Sequence, residues 1–343
     1  MIVTKNTLFI FFLLLFFQNC MEPNTDDLWS IKINGTMQTN GFARDVTVNG
    51  DIAMVAAGQS GIQVWDLNSS SMVSNFLGYE EGGTFLEFDD LAIIRKDIDN
   101  DLIFVSELNK DVKVFHFNDD SITYRNTIMS AKTKDFSVFW SKKDQFVMYS
   151  ADNDDGMKWH YYNLDSTSSF GIDFIEWTPY GGSEIYTPGK PLGIDSDGFS
   201  TIAMAVDQLG VELYSIDSLG ADPILLGRID TEGNAEKVCL SSNGVFVACD
   251  NAGAVYIPKE NFTGSKELYR FATDFTVDHI SVNNNIAVLS LGSKGIALYD
   301  ISDPEDPQEK GVFSIGYSYM SLFWNDQLLV CTREGLQQIS ITK

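Results

Sequence analysis

Apolar and polar residues alternate with a period of two over many short stretches of this chain, and helical periodicity appears nowhere over a useful length. One unit recurs: an alternating strand, a tight polar turn, a second apolar strand, a short loop often ending in Gly, and a third alternating strand. Residues 43–68 read ARDVTVNGDIAMVAAGQSGIQVWDLN and residues 277–302 read VDHISVNNNIAVLSLGSKGIALYDIS; the two align without a gap. Further copies cover 191–217, 235–259 and 318–341, with weaker ones at 91–118 and 135–163. The residues that precede the third strand are Gly61, Lys110, Gly156, Gly210, Gly253, Gly295 and Gly335, spaced by 49, 46, 54, 43, 42 and 40 positions. That is the length of a four-stranded propeller blade.

A fourth strand is predicted after each third one, at 73–79, 123–129, 171–177, 223–229, 267–273 and 310–316. These are six segments for seven units, because the last copy ends at Lys343. The segment LWSIKIN, 28–34, belongs to no unit where it stands and is predicted to pair with 335–341. The expected fold is all-β: a single seven-bladed β-propeller of four-stranded antiparallel blades over 28–343, its ring closed by the N-terminal strand on the last blade. Closure removes the exposed edges that invite aggregation. Asn49-Gly50, Asp197-Gly198 and Asn243-Gly244 are pairs that accept positive φ in two-residue hairpins.

The segments GIQVWDLN, GVELYSID and GIALYDISDPEDP resemble the LVIVD-type repeats of bacterial exported propellers, in which a Gly-hydrophobic-x-hydrophobic strand ends in an Asp turn often followed by proline. Asp66, Asp217 and Asp300 hold the Asp position, and Pro304 and Pro307 the prolines. The resemblance covers units one, four and six well and units two, three and seven faintly. It implies a structural motif, with Asp capping the turn, and supplies no catalytic residue.

Ahead of the repeats, 1–6 carries Lys5 and 8–17 reads LFIFFLLLFF. That run is too short to span a hydrocarbon core, which takes about 20 residues, and suits the apolar region of a secretory signal. It ends Gln18-Asn19-Cys20 and the chain turns polar at once. Cys20 resembles the acylated cysteine of a bacterial lipobox, although Gln18 and Asn19 replace the usual small residues. The expectation is a signal peptide at 1–19, a lipidated tether at 20–27, and an exported cell-envelope lipoprotein anchored to the outer membrane.

A net charge of −25, from 48 acidic and 23 basic side chains, argues against nucleic acid as a partner and against attachment to anionic lipid heads. The membrane is then touched only through the lipid anchor. Three cysteines remain besides Cys20, namely Cys239, Cys249 and Cys331, and an odd set excludes a complete disulfide framework. Cys239 and Cys249 flank the turn at 242–244 and face each other in one register but not the next; buried free thiols are expected.

Reaction machinery is sparse. HExxH, GxSxG, GxxxxGK[ST] and GxGxxG are all missing, and the three histidines, His116, His160 and His279, fall on three different blades. Asp97, Asp99 and Asp101 alternate like calcium-loop ligands, but Leu102 and Leu108 stand where Gly and Glu are required. Those acids, with Asp152, Asp154 and Asp155, read as solvated turns. No catalytic residue, metal site or cofactor is expected.

Loops between second and third strands share one face of a propeller with the connections between blades. They bring Glu107, Asp152, Asp154, Asp155, Asp207 and Asp250 around the ring, interrupted by Lys294 and Arg333. The longest connection, WTPYGGSEIYTPGK at 177–190, accounts for the 54-residue spacing and bears Trp177, Tyr180 and Tyr186. It reads either as a flap over the channel mouth or as an insertion packed on its own blade. Trp177, Tyr180, Tyr186, Asp152, Asp154, Asp155, Asp207 and Asp250 are therefore the candidate ligand-face residues. The expected role is a binding module for a protein, peptide or glycan. The alternatives are a lactonase-like hydrolase with a dispersed, metal-dependent site and a structural subunit of an envelope assembly.

Overall fold

Alternating Val, Ile, Ala and aromatic residues give each strand one face for the preceding blade and one for the next. The computed structural model describes residues 27–343 apart from 98–99, 119, 130–131, 153–155, 170–171, 199 and 219. Seven four-stranded antiparallel sheets follow one another along the chain. The first strands of neighbouring blades pack on one another around a central channel, as Asp45–Asn49 does on Leu91–Asp97. Each of the seven seams between adjacent blades holds its own buried apolar cluster.

The ring closes as the count of strands requires. Ser30–Met37 lies antiparallel to Gly335–Thr342, with Ser30 opposite Thr342 and Met37 opposite Leu336, and a bulge between Ile33 and Gly35. Met37 packs into the seam between blades seven and one, Trp29 into that between six and seven. This strand enters at the lower face, the one that carries the first-to-second and third-to-fourth turns, and leaves at the upper face.

Turn chemistry sets the upper rim. In blades one, four, five and six the second-to-third-strand loop begins with a left-handed residue: Gly58, Asp207, Asp250 and Gly292, at φ between 44° and 58°. Their carbonyls accept the amides of Leu91, Ala235, Val277 and Ser318, at 3.1, 2.9, 2.9 and 3.0 Å, and so hold the entry of the next blade. The loop ends in a glycine such as Gly61, where φ is +75° and a Cβ would stand 2.0 Å from the Phe76 carbonyl oxygen; no other residue fits. At the lower face Asp66 accepts from the Ser69 amide at 2.7 Å, and Asp300 from the Ser302 amide at 2.9 Å, which are the turn caps expected of them. Gly50 and Gly198 take positive φ in their hairpins, whereas Gly244 starts the strand Gly244–Ala248 in an extended conformation.

Two extensions depart from the repeat. After the fourth strand of blade one, Ser71–Phe76, the chain forms an extra hairpin of Gly78–Glu81 and Thr84–Glu87, where the predicted strand 73–79 had run on. Tyr79 anchors it, stacked on Tyr124 with centroids 5.4 Å apart and edge-on to Phe115 at 5.1 Å. In blade three the third and fourth strands, Gly156–Ser169 and Ile172–Ile185, are 14 residues each. This long hairpin, not a loop, fills the 54-residue spacing.

Candidate binding site at the channel mouth

Six ionisable side chains from six first strands meet in the channel. Asp45 accepts from its own neighbour's amide, Val46, at 2.9 Å and from Ile94 of blade two at 3.0 Å. Asp195 repeats the arrangement with Ser196 at 2.9 Å and Leu240 of blade five at 2.8 Å. Arg95 donates to Asp45 and, at 3.2 Å, to Asp135; the Lys237 ammonium donates to Asp135 at 2.7 Å and to the Leu192 carbonyl at 3.1 Å. An ion-pair chain thus runs from blade one through two and three, then past blade four to blade five.

Burial pushes the Asp195 carboxyl up to about 6, against its two amide donors. Desolvation would raise Asp135 too, but Lys237 and Arg95 outweigh it and hold that carboxyl below its ordinary range. Above this chain lies a cavity of about 110 Å³ lined by Arg44, Asp45, Arg95, Asp135, Lys237 and His279, among others. It has room for about three waters, whereas ligand pockets occupy roughly 300–1,000 Å³. That cavity is too small for a ligand of ordinary size, and recognition of anything larger falls to the rim.

Burial, reinforced by Lys237, lowers the His279 imidazole from 6.5 to about 3, and its Nδ1 is buried without a hydrogen-bond partner. The unfolded chain binds this proton near 6.5 and the folded ring refuses it down to about 3. The stabilisation is complete above the unfolded value and erodes as pH falls through that window. Replacing His279 with Gln is expected to flatten the acid limb of the stability curve. The variant gains about 2 kcal/mol relative to wild type at ~pH 5 compared with neutrality, read by urea unfolding across pH; parallel curves would refute it.

The rim has two unlike halves. Over blades four to six, Asp207, Glu236, Asp250 and Asp278 stand close enough that burial and mutual repulsion raise Glu236, and burial and Asp250 raise Asp278. Over blades seven and one, the connections carry Tyr317, Phe42 and Arg44, the strand Ser318–Trp324 carries Tyr319, and the blade-seven loop carries Arg333. Tyr317 and Tyr319 have centroids 4.9 Å apart, and Phe42 lies 6.3 Å from Tyr319. The Arg333 guanidinium sits 4.1 Å over Tyr317 and 5.7 Å over Phe42; that of Arg44 sits 5.4 Å over Tyr319. A groove of about 360 Å³ adjoins Phe42, lined by Asn40, Arg44, Gln59, Ser60 and Asp90 among others.

The residues singled out in the sequence do not assemble into one site. Trp177 is 8% exposed and packs 5.1 Å from Phe146 in the seam between blades two and three. It stands on the outermost strand of its blade, as does Tyr180, so neither covers the channel mouth. Tyr180 is the extra residue of a bulge and meets Tyr161 edge-on at 5.3 Å, and Tyr186 is exposed just beyond that strand's end. Asp152 is buried and ion-paired with Lys158 at 3.2 Å, and Glu107 with Lys113 at 2.9 Å. Asp207 and Asp250 do stand on the rim, in positions their backbone shares with Gly58 and Gly292. Asp97 is buried rather than solvated, accepting from Asn100 at 2.8 Å. Asp99, Asp154, Asp155 and Cys20 lie outside the described residues. Cys239, Cys249 and Cys331 are free thiols, Cys239 opposite Phe246 rather than Cys249, and burial raises all three.

The sequence signal for the channel cluster was register. Asp45, Asp135, Lys237 and His279 share one register near the start of their first strands, opposite Ala56, Ala151, Ala248 and Ser290, and Asp195 stands two residues further on. Only the stacking of those strands joins them.

No family model matches the chain, and no curated protein matches it in sequence. Among solved structures it is similar to U3-55K, at a TM-score of 0.69 and 10% identity over 90% of this chain and 98% of that one. It is likewise similar to the WD40 repeats of RRP9, at 0.68 and 10% over 91% and 97%. The computationally designed Ika8 protein matches at 0.60 and 10% over 89% and 98%. At such identity the likeness speaks for the fold alone: the chain is built as a seven-bladed β-propeller.

Proposed function

We propose that the protein is an exported, lipid-anchored binding module of the cell envelope that holds a protein or peptide partner at the upper mouth of its propeller. The observation that carries this reading is the rim cluster of Phe42, Tyr317, Tyr319, Arg44 and Arg333 above a channel cavity of only about 110 Å³. Tyr and Arg are the residues that dominate protein interfaces, because they combine large, stiff contact areas with directional donors. A hydrolytic reading is weaker, since the channel carboxylates that a dispersed site would use are spent on amides and on Arg95 and Lys237.

The anchor fits the same orientation. The apolar run before Cys20 supports export and acylation, and the described chain enters the propeller at its lower face. A tether from 20 to 30 reaches at most about 35 Å, so a lipid on Cys20 draws the lower face towards the membrane and turns the rim outward. Affinity capture from solubilised envelope should retain a partner with wild-type protein and with a lower-face Asp144→Ala control. The double variant Phe42→Ala/Tyr317→Ala should lose it by more than about tenfold. Identical captured sets for all three would overturn the reading.

A further inference from the structure

We propose, on the reading above, that the partner is recognised through a carboxylate-bearing peptide segment, taken by the terminal edge of Arg333 with a neighbouring apolar side chain laid on Phe42. Among the described residues Arg44, Arg95, Arg228 and Arg270 are ion-paired to carboxylates of the chain, whereas Arg125, on an outer strand, and Arg333, at the mouth, are not. Arg333 is exposed at the mouth, and its guanidinium meets no carboxylate within ion-pair distance, in a protein with 48 acidic side chains.

Its geometry is set in advance. Nε donates to the Tyr319 hydroxyl at 3.4 Å, and the plane is held 4.1 Å over Tyr317 and 5.7 Å over Phe42. The adjacent Glu334 carboxylate lies beside Gly316, where a Cβ would come within 2.5 Å of it, and acts on Arg333 through its field rather than through an ion pair. Its two terminal nitrogens have no hydrogen-bond partner among the described residues, and as a fork they match a carboxylate with two parallel hydrogen bonds. A guanidinium already fixed by stacking loses little freedom on binding. Phe42, at 47% exposure, offers an apolar surface beside that fork, so the site suits a segment that alternates acidic and apolar residues rather than a bare anion.

Fluorescence anisotropy with three labelled hexapeptides tests this: Glu-Leu-Glu-Phe-Glu-Gly, its Gln-for-Glu counterpart, and its Lys-for-Glu counterpart. Wild-type protein should bind the Glu peptide about tenfold more tightly than the Gln peptide, and the Lys peptide no better than the Gln one. R333Q should erase the preference while its melting curve stays that of wild type, and R333K should restore only part of it, because a lysine is a point donor. Equal affinity for the Glu and Gln peptides, or a preference that survives R333Q, overturns the proposal. Displacement by inorganic phosphate without any Glu-peptide preference also overturns it, in favour of a phosphate site. Should Phe42→Ala/Tyr317→Ala release a captured partner while the peptides show no preference, the rim binds by other means and only this inference falls.

Discussion

Deleting residues 28–37 is expected to unfold the protein, not merely to shorten it. The segment supplies the fourth strand of blade seven, pairing along Gly335–Thr342. Trp29 and Met37 fill two different seams, and the Trp29 amide binds the Lys310 carbonyl of blade six at 2.8 Å. Outside the ladder, Asn34 adds a side-chain bond to Ser340 at 2.7 Å. Two large buried side chains contribute about 3–6 kcal/mol together, against a total stability of order 5–15 kcal/mol. The deletion also leaves Gly335–Thr342 as an open edge beside a split seam. The thermal midpoint followed by circular dichroism should fall by more than about 10 °C, and a synthetic 28–37 peptide added in trans should recover part of the loss. A truncated protein that melts with the intact one would remove closure as the basis of the fold.

Closure was readable from the chain because it is a matter of counting: third strands outnumbered the fourth strands that follow them, and 28–34 had the alternation of the missing piece. The two hairpins were not readable, and the reasons are specific. Gly82-Gly83 and Gly181-Gly182, with Pro179, are the residues that punctuate loops, yet Gly181 and Gly182 lie within a strand. A Cβ on Gly181 would stand 3.7 Å from the Trp159 ring, and one on Gly182 only 2.7 Å from the Trp159 carbonyl oxygen. Gly182 records close approach of the Trp159 backbone, more than twenty positions away, whereas Gly181 makes only ordinary contact with the Trp159 ring. The same ambiguity left 177–190 open between a flap and an insertion packed on its own blade; Trp177 stands on that blade's outer strand, in a core position.

The rim and the channel were legible to different degrees. Asp207 and Asp250 were visible as loop acids, but their left-handed backbone, shared with Gly58 and Gly292, accounts for them as turn residues first. Arg333 was visible only as an interruption of an acidic series; its stacking on Tyr317 requires the connection from blade six and the loop of blade seven to meet. Channel residues share only a register, and nothing local names their partners, since each partner lies at least one blade away along the chain.

Asp135→Ala is expected to cost about 3 kcal/mol, at the lower end of the 3–5 kcal/mol typical for breaking a buried pair. Asp135 is the one acceptor that Arg95 and Lys237 share, and its own carboxylate also receives the Phe136 amide at 2.9 Å. Removing it leaves Lys237 without a carboxylate and Arg95 with Asp45 alone, beside His279, which is already held neutral by burial. Arg95 and Lys237 keep some access to water, at 32% and 27% side-chain exposure, so solvent screens part of the penalty. A Lys237→Met substitution on the same background separates charge from packing: it should return about 1 kcal/mol or more by removing the stranded cation. The check is urea denaturation of wild type, both single variants and the double variant near neutral pH. Additive single-variant effects would show that the ion chain across blades three and five is not coupled, and that the first strands are held by their backbone contacts alone.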